Sequence, residues 1–414
     1  MLLRISGAGG HLAEISTDIK EVLANVVEVD DDGIPAHAKL GVDPIYIDLF
    51  KKAKAKSEED YGTSHKDGEK GIVIGPTEGR FGYTLRALQN AKRIRRILAP
   101  ASQEDGEQLK LALMVSPEHL KILESCGTQQ QQDAKTEKDG KIKEEEMKEA
   151  CDLWADGVLF DNVIPMHESE YKGNEAHTNQ DQGTSAFWLK ALGGYRLAPY
   201  KHSLFIDSDA YPCPKVEALF SLIDPTYKRG RKYWQLPSSR QGDFAMGIEQ
   251  WSTATAEFWM PGDPKYLTDF RTFSERNSGA VLWNFDRPLA HHFAHFIPLV
   301  SEHVYNNVAT DEVTVPNDQT PFDVALYLFH RFAPDFVEHQ IPMHATCRAY
   351  PGQDYAGTDG HINGMLPLQQ DGKHCSECSC SPCLVGHFAG TWFLNIKGFK
   401  GWETDIPDDI SLND

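Results

Sequence analysis

The chain has 414 residues, room for one large α/β domain with extensions or for two ordinary domains. Hydrophobic residues make up 40% of it and charged residues 25%, so a sizeable core can form and the composition argues against wholesale disorder. A formal net charge of −20 argues against non-specific nucleic-acid binding, yet a metal or a local lysine can still reverse the field in one cleft for a phosphate-bearing ligand.

No run of about 18 apolar residues occurs, so no membrane span is expected. The first twenty residues turn to glycines and acids after a three-residue apolar opening and do not read as a signal peptide. Residues 1–70 read as an extension, with a helix over 12–27 and a charged linker over 51–70. A regular pattern starts at Gly71. A short apolar strand over 71–75 is followed by a loop over 76–82. A helix over 83–98 then carries Leu85, Leu88, Ile94 and Ile97 near helical spacing. Its basic residues, Arg86, Lys92, Arg93, Arg95 and Arg96, read as a solvated face. A strand over 109–115 and a helix over 117–125 follow, with Pro117 suited to the first turn.

Residues 127–150, rich in Gln, Lys and Glu, read as a disordered or loosely helical surface insertion. A third strand is expected within 156–165, centred on 158–160, then a helix over 185–192 and a strand over 203–206. Strands alternating with helices call for a parallel sheet with crossover helices. Further on, a short helix is expected over 216–223 and a strand over 233–236. A polar turn runs into a strand over 276–285. A helix over 317–333 has Asn317 or Asp318 as cap and Pro321 near its first turn.

The strand over 203–206 ends on Asp207-Ser208-Asp209. Carboxylates at the carboxyl end of a buried strand project into the crevice where open α/β sheets bind ligands. Two acids this close repel each other unless a divalent cation sits between them, and hard oxygen donors suit Mg²⁺ or Mn²⁺, which in turn take up phosphate oxygens. A solvated polar turn is the plain alternative.

Four landmarks come in order: Asp207-Ser-Asp209, Asn277-Ser278-Gly279-Ala280, Asp318-Gln319 opening a helix, and His387-Phe-Ala-Gly390. Together they resemble the nucleotide-diphospho-sugar transferases of GT-A fold, nearest to the retaining, glycogenin- and galactosyltransferase-like family eight. The resemblance covers about residues 71–400. It implies a single Rossmann-like, mainly parallel sheet flanked by helices over 71–405, with a 406–414 tail. It also implies that Asp207, Asp209 and His387 hold Mn²⁺ or Mg²⁺ on the donor's diphosphate. Ser208, Asn277, Ser278 and Gly279 would line the donor pocket, and Asp318 and Gln319 would lie at the sugar's reacting face. Thr77 and Tyr83 would contact the nucleotide. The family's lysine after the His-x-x-Gly motif falls on Phe393 here, so Lys397 and Lys400 are the candidates for the diphosphate.

The implied activity is metal-dependent transfer from a nucleotide-sugar, a UDP-sugar first, to a glycan, protein or small-molecule acceptor with retention. A GDP-mannose-using mannosyltransferase, a sugar-phosphate nucleotidyltransferase and a non-catalytic sugar-binding member remain open. Cys375, Cys378, Cys380 and Cys383 crowd a loop over 372–384. Zinc, disulfides reaching Cys347 or Cys213, and a reduced loop are all compatible with that spacing. Without an amino-terminal anchor in the chain, a cytoplasmic location is expected, the Golgi lumen being the alternative for a chain lacking its anchor.

Overall fold

The structure is a computed structural model. It describes residues 29–30, 33–61, 68–77, 81–105, 109–127, 144–155, 159–166, 171–173, 184–208, 210–212, 216–227, 241–248, 276–308, 319–341, 346–349 and 385–388, with only the backbone described at 68, 69, 97, 99–105, 185, 211, 248, 277, 278, 308, 346–349 and 385–388.

The first long element is α1 (Pro44–Tyr61). Pro44 suits a first helical turn, where a missing N–H costs nothing, and Asp43 just before it accepts from Ile45 N at 3.0 Å. Tyr46, Phe50, Ala53 and Ser57 recur at helical spacing and are buried. The linker expected from residue 51 is therefore corrected as far as Tyr61: the lysines flank a buried face of a helix that joins the core.

The βα alternation follows: β1 (Gly68–Thr77), α2 (Phe81–Asp105), β2 (Lys110–Val115), α3 (Pro117–Glu124), α4 (Glu144–Ala155), β3 (Asn162–Pro165), α5 (Ser185–Gly194) and β4 (Tyr200–Ile206). The Ser116 side chain caps α3 by accepting from His119 N, and Thr184 caps α5 by accepting from Phe187 N. β3 begins later than the expected centre at 158–160. The end of the supposed insertion is the start of α4, whose Met147, Ala150 and Leu153 are buried. Cys126 and Cys151 form a disulfide that brackets this insertion.

After β4 come β5 (Ala210–Pro212), a 3₁₀ turn over Val216–Leu222, β6 (Phe244–Ile248), β7 (Arg276–Asn284), α6 (Pro288–His303), α7 (Gln319–Phe332), β8 (Glu338–Ile341), β9 (Thr346–Ala349) and β10 (Val385–Phe388). The strand expected over 233–236 lies outside the described residues.

Seven strands form one sheet in the order β3-β2-β1-β4-β7-β6-β8. β1 is parallel to β2 and β4, β2 to β3, and β6 to β8, while β7 runs antiparallel to both β4 and β6. This is the mostly parallel sheet flanked by helices that the GT-A resemblance implies. Successive side chains alternate faces, so each strand feeds two cores. Val73, Ala112, Phe205 and Val281 pack with α1, α5, α6 and α7. Ile72, Ile74, Leu111, Leu204 and Leu282 pack with α2 and α4 on the other side. Buried on both faces, β1 and β2 read as continuous apolar runs, as parallel strands do. A second sheet has the order β5-β10-β9 and lies beyond the carboxyl end of β4.

Candidate active site

β4 ends at Ile206, opposite Ala280 of β7. One residue on, Asp207 N donates to Gly279 O at 3.3 Å, and Ala210 N donates back to Asp207 O at 3.0 Å. The acidic triplet is thus a tight turn, with Asp207 at its first position, where aspartate is favoured. Asp207 is half-buried and Ser208 buried. The first two landmarks, 70 residues apart in sequence, meet in this backbone contact.

The turn leads into β5, which pairs antiparallel with β10: Pro212 with Val385, Tyr211 with Gly386, and Ala210 with His387. Directly opposed residues of an antiparallel pair have Cα atoms about 5 Å apart. His387 is therefore carried on a backbone that runs beside the acidic turn, although 178 residues separate it from Asp209 in the sequence. Asp209, and the side chain of His387, lie outside what is described. Among the described residues no cluster of three or more His, Cys, Asp or Glu side chains forms a metal site.

The third landmark joins through α7. Asp323, in its second turn, is buried and accepts from Arg276 N at 3.0 Å, next to Asn277. Arg276 in turn donates to both oxygens of Glu338 on β8, at 2.6 and 3.0 Å, and His330 Nε2 lies 2.7 Å from Glu338 Oε2. Burial opposes the charge on Glu338, but hydrogen bonds from His330 and Arg276 outweigh it and hold the carboxyl below its ordinary range. This network locks the start of β7 to the start of α7. Gln319 is buried at that helix's first position, while Asp318 lies outside the described residues.

Two sequence expectations need correction here. Thr77 is not in a loop: β1 runs through it, its side chain is fully buried, and its hydroxyl donates to Met114 O at 3.3 Å. The hydrogen of that hydroxyl is thus committed to the neighbouring strand. Tyr83, half-buried in the first turn of α2, stays near the carboxyl end of β1. The basic face of α2 is also not simply solvated. Arg93 is buried and donates from Nε to Pro212 O at 2.8 Å, and Arg95 donates to Leu159 O and Asp161 at 2.8 Å each. Lys397, Lys400 and the cysteines from Cys375 to Cys383 lie outside the described residues, and nothing described supports a zinc site.

Sequence reasoning overlooked Asn90. It is fully buried on α2, and its Nδ2 donates to Ala210 O at 2.5 Å and Ser208 O at 3.4 Å. The clue was its position, one turn from Ala87 and Ile94 on the apolar stripe of the helix, where an amide needs partners.

No family model matches the chain, and no curated protein matches it. Among solved structures it is similar in fold to the galactosyltransferase LgtC in complex with donor and acceptor sugar analogues. That likeness has a TM-score of 0.39 at 13% identity and covers 77% of this chain and 87% of the other. It is also similar to mouse xyloside xylosyltransferase 1 in its apo form, with a TM-score of 0.35 at 11% identity, covering 68% of this chain and 87% of the other. Among the described residues no helix is long and apolar enough to cross a membrane.

Proposed function

We propose that the chain is a metal-dependent glycosyltransferase that moves a sugar from a nucleotide-diphosphate donor, a UDP-sugar, to an acceptor hydroxyl with retention. The observation that carries this is the pairing of β5 with β10. It brings the His387 backbone opposite Ala210, one residue past the two acids at the carboxyl end of β4. Two carboxylates and an imidazole are a donor set that suits Mn²⁺, which accepts oxygen and nitrogen alike. In this assignment Asp207, Asp209 and His387 hold the cation, and when bound it supplies Lewis-acid stabilisation to the departing diphosphate.

The chain's own residues then divide the remaining work. Asn277, Ser278 and Gly279 border the donor sugar, Ser208 lies within the metal-binding turn, and Tyr83 meets the nucleotide. Lys397 or Lys400 adds positive charge at the diphosphate. Asp318 and Gln319 face the anomeric carbon, where a retaining reaction needs a group that stabilises developing positive charge.

The Cys126–Cys151 bridge favours the luminal setting over the cytoplasmic one, because disulfides persist in oxidising compartments and are rare where thiols are kept reduced.

The test is donor turnover: purified protein with Mn²⁺ and a panel of UDP- and GDP-sugars, reading released nucleoside diphosphate. One UDP-sugar should be hydrolysed slowly without acceptor, and the signal should vanish with EDTA, in Asp207→Asn and in His387→Ala. A GDP-sugar as the sole substrate would shift the donor class. Silence across the panel, with no metal-dependent nucleotide binding by calorimetry, would leave a non-catalytic member of the fold.

A further inference from the structure

We infer that Asn90 and Arg93 on α2 are positioning residues that set the geometry of the metal-binding turn from behind, an assignment that rests on the metal site proposed above. The two residues are three apart, hence on one face of the helix. Asn90 donates from Nδ2 to Ser208 O and Ala210 O, and Arg93 donates from Nε to Pro212 O. Their targets are one residue inside the acidic turn and the first and last residues of β5. Both side chains are buried, at 0% and 8% exposure, so water does not compete for these contacts.

β5 is three residues long, too short to hold its own course. Among the described residues its strand partner is β10, the strand that carries His387. The α2 side chains therefore fix a strand that both follows the two acids and aligns the imidazole's backbone. A small shift of β5 would alter the distance between the carboxylates and the histidine together.

Stability alone does not account for Asn90. Leu85, Leu88, Ala91 and Ile94 already seat α2 on the sheet. Among the described residues Asn90 Oδ1 is buried with no hydrogen-bond partner, a cost that an apolar residue at this position would avoid. An amide kept there at a cost fits a demand for donors aimed at the turn's carbonyls. Groups that orient metal ligands from outside typically change metal affinity by about 10- to 100-fold when removed.

The experiment titrates Mn²⁺ by calorimetry into the full chain held with UDP, alongside thermal melts. Asn90→Ala and Arg93→Met should each weaken Mn²⁺ binding by about tenfold or more, while Arg93→Lys, which restores a donor for Pro212 O, should recover most of the affinity. Asp207→Asn is the control that isolates the underlying assignment. Loss of Mn²⁺ binding in Asp207→Asn, with unchanged affinity in folded Asn90→Ala and Arg93→Met, would overturn the positioning role alone. Undiminished Mn²⁺ binding in Asp207→Asn would overturn the metal site itself and the positioning role with it. Equal losses in Arg93→Lys and Arg93→Met would count against a role for the hydrogen bond.

Discussion

Arg276 and Glu338 form a two-pronged ion pair, at 2.6 and 3.0 Å, between the first residue of β7 and the first residue of β8. Their side chains are only 5% and 6% exposed, so the pair is closed to solvent. The next residue after Arg276 opens the Asn277-Ser-Gly279 landmark, so the ion pair anchors the segment proposed to border the sugar.

Arg276→Met leaves Glu338 buried with His330 as its remaining partner among the described residues. Removing one member of a buried pair typically costs about 3–5 kcal/mol when the charge left behind is uncompensated, and His330 offsets only part of that here. Urea unfolding should therefore show a lowered midpoint for Arg276→Met and a much smaller loss for the Arg276→Met, Glu338→Leu double variant. Equal losses in the single and double variants would show that packing, not the stranded carboxylate, carries the effect.

On the same face of the sheet as α7, α6 fastens α1 through histidines. His292 Nε2 lies 3.0 Å from Phe50 O, and its ring sits 4.2 Å from the Phe50 ring. Burial pushes His292 down to about 4, with smaller contributions from Lys54 and His295. Burial likewise lowers His295, against the pull of Asp60, and His303. Groups with depressed histidine values bind fewer protons folded than unfolded, so stability is intact above the ordinary value of about 6.5 and falls as the pH drops towards about 4. His292 contributes up to about 1.4 kcal/mol per pH unit in that window. Denaturant unfolding across the window should show the fall, and His292→Gln, which keeps a donor for Phe50 O, should make it shallower. Parallel pH slopes in the two proteins would remove His292 from the account.

The Cys126–Cys151 bridge closes a loop with a sequence separation of 25, from the turn after α3 to the middle of α4. On the chain-entropy account, a cross-link of this span stabilises by roughly 3 kcal/mol. The paired Cys126→Ala, Cys151→Ala variant should melt several degrees lower, and reductant should lower the melting point of the parent but not of the variant. A melting point indifferent to reductant in the parent would mean that the bridge does not form in solution.

How much of this was legible depends on range. The strand-helix alternation from residue 71 could be read because apolar runs and helical spacing are local signals, and β1, α2, β2, α3, β4 and α7 lie close to where they were expected. The burial of α1 was hidden by its lysines, which mask the Tyr46, Phe50 and Ala53 stripe in any count of charge. Arg93 and Arg276 show the same limit from the other side. Arginine on a helix or at a strand end looks solvated until its partners, Pro212 O and Glu338, are brought in by the sheet. The four landmarks were visible as an ordered set. Their meeting was not, since it depends on the reversed strand β7 and on β10 reaching back to β5.

Gly75 offers a last test, at the rim of the same crevice. β1 carries one extra residue relative to β2 between Ile74 and Thr77, a bulge that bends the end of the strand. Gly75 adopts φ +129° within it, and a Cβ added there would stand 2.5 Å from Met114 O. That oxygen is backbone on the neighbouring strand and cannot move aside without breaking the bond it accepts from Thr77. Gly75→Ala thus combines a disfavoured backbone conformation with a clash, and should cost on the order of 2 kcal/mol or more. Gly33, at φ +81° with open space around its Cβ position, is the comparison site. Gly33→Ala carries the backbone penalty without the clash and should lose less. If the two variants melt alike, the close approach at Met114 is absent in solution; if Gly75→Ala alone also weakens nucleotide binding, the bulge matters for the ligand as well as for the strand.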